Sequence, residues 1–404
     1  MKTVRAKSAS RYLLPWIGSL LFLLFLLGHP TVGVAFDMAG PRSMGMGGAF
    51  VAVTDDATAV YWNPAAITQI KGVDVNAFGG VKGADRIYDI MDDLEDWDDD
   101  HPGPTYSRSE MEDLQDILKR LNEDDAGAFG DAAAGVAVAA KWFAISSVAL
   151  GQANLDPYAD TDLDHLGPDE SNRADNDSRV DINSLITNNI ALTLASTLGI
   201  PNLALGVNLK YIQAFRYTDS YYLFDQSSGE YDDINYKKRF NDNRVDGWAL
   251  GLDAGVLVIL GDMFKIGVLG RNMNEPEIDW EKHQPKTKLR GQYRAGAALT
   301  LFKTLTLSVD ADITEQGREV IETKSGGEFK FDESQEISAG FEWWLLDHHL
   351  ALRGGVNNIN DSGGAGRFYT AGLGFCLPFL GFDLAGGYGG DRRYCASAAL
   401  SLRF

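Results

Sequence analysis

The chain is predicted to be all-β, a fourteen-stranded antiparallel transmembrane β-barrel. Three observations predict it: a short export segment with no later apolar helix, a series of alternating strands of membrane-spanning length, and a last strand that ends the chain on an aromatic residue. In that last strand Tyr394, Leu400, Leu402 and Phe404 share an apolar face with Ala396 and Ala398. Arg393, Cys395, Ser397, Ala399, Ser401 and Arg403 fall on the other face. A period of two with one apolar and one polar face is a half-buried strand.

The export segment is residues 1–35. Lys2, Arg5, Lys7 and Arg11 precede the apolar run Leu20–Leu27, and Gly33-Val34-Ala35 supplies small residues for cleavage near Ala35. That run is short for a membrane span. No later stretch is long and apolar enough for a transmembrane helix, so a membrane is crossed by a closed barrel or not at all.

Fourteen candidate strands follow Lys71, near 72–81, 131–140, 142–154, 180–198, 203–217, 245–259, 263–273, 289–301, 304–315, 335–346, 348–358, 367–377, 380–389 and 393–404. Alternation is clearest at Leu203, Leu205, Val207, Leu209 and Tyr211, and again at Ile337, Ala339, Phe341, Trp343 and Leu345. Short and long connections alternate, as they do in outer-membrane barrels. Aromatic residues gather at both strand ends. Trp142, Phe143, Phe264, Phe302, Trp343, Trp344, Phe379 and Phe404 lie at the short-turn ends; Phe215, Trp248, Tyr293, Tyr369, Tyr388 and Tyr394 lie at the others. Two such girdles are expected where a barrel meets the two membrane interfaces. A soluble β-sandwich also alternates, but export segment, girdles and terminal Phe404 together favour the barrel.

The formal net charge is −21, and it is concentrated. Residues 85–125 carry sixteen Asp/Glu against four Lys/Arg, and residues 156–179 carry eight against two. These stretches fall in the long loops 82–130 and 155–179, so the acidity belongs to loops. Nucleic acid is excluded as a partner, because a phosphate backbone requires a basic stripe. In the first loop Met111, Leu114, Ile117, Leu118 and Leu121 recur at helical spacing, with Ser109 and Glu112 as a capping box. Asp160, Asp162 and Asp164 resemble the start of a calcium loop, but His165 replaces its glycine and Ser171 its bidentate glutamate. The stretch reads as a solvated, repulsive surface loop, with loose divalent-cation binding as the alternative.

Residues 42–65 read RSMGMGGAFVAVTDDATAVYWNPA. Gly45, Gly47 and Gly48, then Asp55 and Asp56, then Asn63, Pro64 and Ala65 resemble the N-terminal hatch of the FadL superfamily of outer-membrane proteins. Tyr61-Trp62 before the NPA triplet is more similar to the PorV/PorQ- and TraF-like branch. The resemblance implies that residues 36–70 form a hatch plugging the lumen of a barrel spanning 71–404. Read physically, the small residues permit close folding inside a lumen, and Pro64 restricts Asn63 to extended geometry. Gly45-Met46-Gly47 is not a dinucleotide loop, since Phe50 occupies the third glycine position.

Inward positions carry both signs of charge: Lys210, Asp253, Lys265, Arg271, Arg294, Asp310, Asp312, Glu342, Arg353 and Asp383. They read either as ion pairs that hold the plug or as sites for a substrate headgroup, with Arg294 and Arg353 suited to a carboxylate. In FadL-type transporters a kinked third strand opens a lateral route. Gly151 here reads as a bulge or as a strand end. Tyr221, Tyr222, Leu223 and Phe224 form an apolar patch, either a collecting site or a strand extension. Cys376 is expected to face outward and Cys395 inward, on strands that are not neighbours, which excludes a disulfide.

His101, His165, His283, His348 and His349 belong to no nucleophile or metal motif. Neither enzyme, cofactor nor metal is expected. The resemblance implies an outer-membrane location, with membrane lipid and the barrel assembly machinery as partners. It implies either passive uptake of small hydrophobic molecules such as fatty acids or hydrocarbons, or a role as a component of protein secretion or conjugal transfer.

Overall fold

The computed structural model describes residues 39–404, apart from 86, 102–105, 124–126, 167–174, 224–235, 282–284, 315–319, 323–327, 331–333, 362–363 and 391. Residues 1–38, which include the expected export segment, lie outside the described residues, as does Phe224. No described helix is long and apolar enough to cross a membrane.

Fourteen strands form the wall. They are β1 (Val73–Asp85), β2 (Ala128–Ala140), β3 (Phe143–Tyr158), β4 (Arg179–Ser196), β5 (Leu203–Tyr222), β6 (Arg244–Leu260) and β7 (Phe264–Arg271), followed by β8 (Gln292–Leu301), β9 (Leu305–Asp312), β10 (Ser334–Leu345), β11 (Leu350–Asp361), β12 (Gly364–Cys376), β13 (Leu380–Gly389) and β14 (Arg393–Arg403). Each pairs antiparallel with the next, and β1 pairs with β14 in the register Val75↔Leu402, Gly79↔Ala398. The sheet therefore closes into a barrel.

Alternation sorts the side chains as the period of two requires. On β5, Val207, Leu209 and Tyr211 are exposed while Asn208, Lys210 and Ile212 are buried. On β14, Tyr394, Leu400 and Leu402 are exposed while Cys395, Ser397 and Ser401 are buried. An exposed apolar surface that encircles the whole wall suits hydrocarbon as its solvent, not water.

Three details depart from expectation. Cys376 faces inward, not outward: Leu373 and Phe375 take the exposed positions of β12, so alternation turns Cys376 toward the lumen, where Arg403 Nη1 donates to its Sγ at 3.4 Å. Of the pair Trp343-Trp344 only Trp343 joins the outer girdle; Trp344 turns inward and donates from Nε1 to Glu342 at 3.0 Å. Gly151 marks no bulge, because pairing runs unbroken through Ala132↔Gly151 and Gly151↔Ile186.

The wall is interrupted elsewhere. β7 stops at Arg271, well below the start of its neighbour β6. Asn274 then stands in for a strand, accepting from Leu252 N at 2.9 Å and donating to Leu250 O at 2.8 Å. Beyond it Glu277–Trp280 pairs with Gly247 and Trp248 of β6 and with Thr287–Lys288. A second small hairpin, Val320–Glu322 with Glu328–Lys330, stands apart from the barrel.

The plug, residues 39–72, contains helix α1 (Pro41–Gly45), helix α2 (Ala59–Trp62) and a 3₁₀ segment (Pro64–Gln69). The first long loop holds two helices, α3 (Ile87–Asp100) and α4 (Arg108–Arg120). The capping box of α4 is Ser107 with Glu110, not Ser109 with Glu112. That frame directs Leu114 and Leu118 onto Ile87, Ile90 and Met91 of α3 and onto Leu155 and Val180 of the wall. Helix α5 (Tyr236–Asn243) lies over the outer end of β5, where Phe240 packs on Tyr217.

Candidate functional site

The site is the interface between plug and wall. Its geometry begins at Pro41, which opens α1, and at Gly47 and Gly48, whose φ of 66° and 88° reverse the chain. Gly47 also lies directly on the backbone of Val356, where a Cβ would meet Val356 N at 2.8 Å. Asn63 is extended, as the residue before a proline is. Its Oδ1 accepts from Ala65 N at 3.1 Å and caps the 3₁₀ segment. Its Nδ2 donates to Val51 O at 3.1 Å and to Val256 O of β6 at 3.0 Å. One side chain thus closes the plug turn and fastens it to the wall. Trp62 is fully buried and donates from Nε1 to Ala39 O at 2.8 Å.

The wall makes room by leaving out side chains. A Cβ on Gly267 would meet Val51 O at 2.6 Å, and one on Gly340 would meet Met46 C at 2.7 Å. Gly206 and Gly255 likewise lie against Pro64.

Charged and polar wall residues then reach inward to the plug. Asp310 Oδ2 accepts from Phe50 N and Val51 N, both at 2.8 Å. Arg271 donates to Tyr61 Oη and to Tyr61 O, each at 3.1 Å, and lies over the Tyr61 ring at 3.9 Å. Asn208 donates to Val60 O at 2.8 Å, and Lys265 to Gln69 at 2.7 Å. Asp74 accepts from Ala57 N at 3.2 Å and pairs with Arg403 at 3.0 Å.

The densest cluster lies at the short-turn mouth. Arg42 of the plug pairs with Asp55, with Asp56 at 3.0 Å and with Glu342 of β10 at 2.7 Å. Glu342 also accepts from Arg353 at 2.8 Å, and Arg353 reaches Asp383 at 2.6 Å. Elsewhere in the lumen Lys210 pairs with Asp253 at 2.6 Å, and Arg294 with Asp312 at 2.6 Å and Glu336 at 3.1 Å. Every guanidinium and ammonium in these pairs is met by a carboxylate, as buried charges require.

The inward charges named from alternation therefore fall in two groups. Asp310, Glu342, Arg271 and Lys265 touch the plug, while Lys210, Asp253, Arg294, Asp312, Arg353 and Asp383 pair within the wall. The hatch motif residues Asp55, Asp56 and Asn63 all meet a partner. Arg42, Asp74, Asn208 and Arg403 were not singled out, although the inward parity of the last three is legible.

Beyond the plug, the long-loop half of the lumen is apolar on one side. Leu185, Ile212, Ala214 and Ala249 of β4–β6 pack with Ile278, Trp280 and Leu289 from the segment after β7. The Tyr221–Phe224 patch is divided: Arg239 lies over the Tyr221 ring at 4.3 Å, Tyr222 is exposed, and Leu223 packs with the loop helices. Among the described residues no three His, Cys, Asp or Glu are grouped to hold a metal ion. In the acidic loop Asp160 and Asp162 accept from the N–H groups of Asp162 and Asp164, and His165 binds Asp160 at 2.6 Å.

The fold is that of solved hydrocarbon channels. The CymD monoaromatic hydrocarbon channel superposes with a TM-score of 0.55 at 12% identity, covering 92% of this chain and 99% of that one. The Ralstonia pickettii toluene transporter TbuX gives 0.55 at 12% identity, with 91% and 99% covered. A Pseudomonas aeruginosa FadL homologue gives 0.51 at 11% identity, with 93% and 99% covered. No curated protein matches the sequence. The family model described as F plasmid transfer operon, TraF, protein matches residues 60–312, a span from inside the plug to the end of β9. With well over half of its length matched, the chain belongs to that TraF family.

Proposed function

We propose that the chain is an outer-membrane barrel that lets small hydrophobic molecules cross by diffusion, with residues 1–35 removed on export and residues 36–70 acting as the hatch. The apolar cluster of Leu185, Ile212, Ala249, Ile278 and Trp280 carries this reading, because it places apolar side chains, packed on one another, and not charges, in the lumen above the plug. The shared fold with channels named for monoaromatic hydrocarbons and toluene supports it. The test is extraction and mass spectrometry of barrel purified from outer membranes, beside an unrelated barrel from the same membranes. Enrichment of an apolar small molecule is the expected result.

A second reading, a component of secretion or conjugal transfer machinery, is favoured by the family match and by the plug's ion pairs, which suit a fixed scaffold. No enriched ligand, together with a stoichiometric protein partner in the purified sample, decides for it.

A further inference from the structure

The apolar outer surface is interrupted at mid-height. Ser147 of β3, Asn188 of β4 and Gln213 of β5 are partly exposed and take outward positions, on the faces that carry exposed Ile145, Ile190 and Tyr211. They form a ladder: Ser147 Oγ donates to Asn188 Oδ1 at 2.9 Å, and Asn188 Nδ2 to Gln213 Oε1 at 3.2 Å. Asn188 stands six residues from exposed Leu194 at the short-turn end and six from Ile182, which packs under the loop helices. On a strand tilted by about 45° that is about 14 Å each way, the middle of an apolar band about 25 Å tall. Between the girdles the outward positions of β1 and β2 on one side, and of β6 and β7 on the other, are apolar or glycine.

Hydrocarbon answers no hydrogen bond, so a polar group at that depth is satisfied only by protein. The ladder satisfies itself in part. Gln213 Nε2 donates neither of its N–H groups among the described residues, and Asn188 Nδ2 keeps a second one unused. In the same row Ala149, Ala134 and Gly79 carry nothing larger than a methyl group. The wall beside the ladder is therefore shallow, and a second surface can approach it closely.

We propose that this patch on β1–β5 is a self-association surface, at which two copies of the chain meet about a two-fold axis normal to the membrane. All copies insert with one orientation, so such an axis brings ladder to ladder at equal depth. An amide both donates and accepts, and the unused N–H groups of Gln213 and Asn188 in one copy face the carbonyl oxygens of the same amides in the other. An unrelated membrane partner would need polar groups at that same depth; a second copy carries them by construction. Tyr211 and Trp248, stacked at 6.3 Å beside Gln213, supply aromatic area at the rim of the contact. The proposal holds under either reading of function, since both place the barrel in a membrane.

The test follows oligomeric state in two ways. Native mass spectrometry of barrel extracted from outer membranes is expected to show a dimer. The double variant Asn188→Leu, Gln213→Leu lowers the dimer's association constant by about tenfold and keeps the heat-modifiable band of the folded barrel, because leucine suits lipid. In membranes, Ile190→Cys in a Cys376→Ser, Cys395→Ser background cross-links to a second copy through a short bifunctional maleimide, whereas Val309→Cys on exposed β9 does not. The proposal is overturned if the barrel is monomeric by both measurements, if dimers persist undiminished in the double variant, or if the protein lost on leucine substitution is a different one.

Discussion

At Glu342 one carboxylate is shared by two guanidiniums, one belonging to the plug and one to the wall. Arg42 and Arg353 both bind its Oε1, and Trp344 donates to its Oε2. Removing one member of a buried ion cluster leaves the others uncompensated, at about 3–5 kcal/mol. Glu342→Gln is therefore expected to lower thermal stability by that amount and to speed protease cleavage within residues 39–72, read by limited proteolysis from the short-turn side. Outside the membrane, the Asp160–His165 pair gives a pH dependence. The hydrogen bond that His165 donates to Asp160 raises the imidazole above its ordinary 6.5. Burial pushes the Asp160 carboxyl up, but the N–H groups of Asp162 and Asp177 and the His165 ring outweigh it and hold it below 3.8. The imidazolium's contribution is complete below pH 6.5 and is lost as pH rises through the raised value; the carboxylate's is present above 3.8 and is lost as pH falls through the lowered one. Protection from hydrogen exchange at residues 160–166, taken relative to the intrinsic rate at each pH, is expected to be greatest between those limits and to fall as pH rises through the raised imidazole value.

At the scale of elements, the plug's path is set by wall glycines. Gly267→Val and Gly340→Val each drive a side chain into plug backbone and are expected to destabilise by about 3 kcal/mol. Ala396→Val, on the exposed face of β14, is expected to change little; thermal unfolding in detergent compares the three. The strands were legible because membrane and lumen impose opposite solvents on alternate residues, and so was the inward parity of Lys210, Arg294 and Glu342. Helix α3 was hidden by its acidic run, in which Ile87, Ile90 and Met91 are the few apolar marks. Trp344 and Cys376 were misassigned where apolar residues are adjacent and only strict parity separates them. The break after β7 left no trace in hydropathy, since Asn274 replaces backbone bonds with side-chain ones. Which carboxylate meets which guanidinium depends on the plug's three-dimensional path, and no local pattern encodes that.

At the scale of the whole molecule, closure joins the strand after the plug to the end of the chain. Val73 N donates to Phe404 O at 3.0 Å, and Phe404 N to Val73 O at 2.9 Å. Deleting Phe404 removes both bonds and an exposed aromatic anchor, worth roughly 1 kcal/mol per hydrogen bond besides its apolar area. A lower yield of folded barrel is expected, read as loss of the heat-modifiable band on gels, with the signal restored more fully by Phe404→Trp than by Phe404→Ala.

The glycines at positions 267, 340 and 206 have one more consequence. They meet the plug's main chain and not its side chains, so the wall is a mould of a backbone trace. Side chains of the plug that avoid the moulded stretches are free to drift over evolutionary time. The trace itself is not, because any detour meets either missing space or an unfilled groove. Plug and wall are thus inherited as a matched cast, and a plug transplanted from a sister barrel seats only if it follows the same course through the lumen.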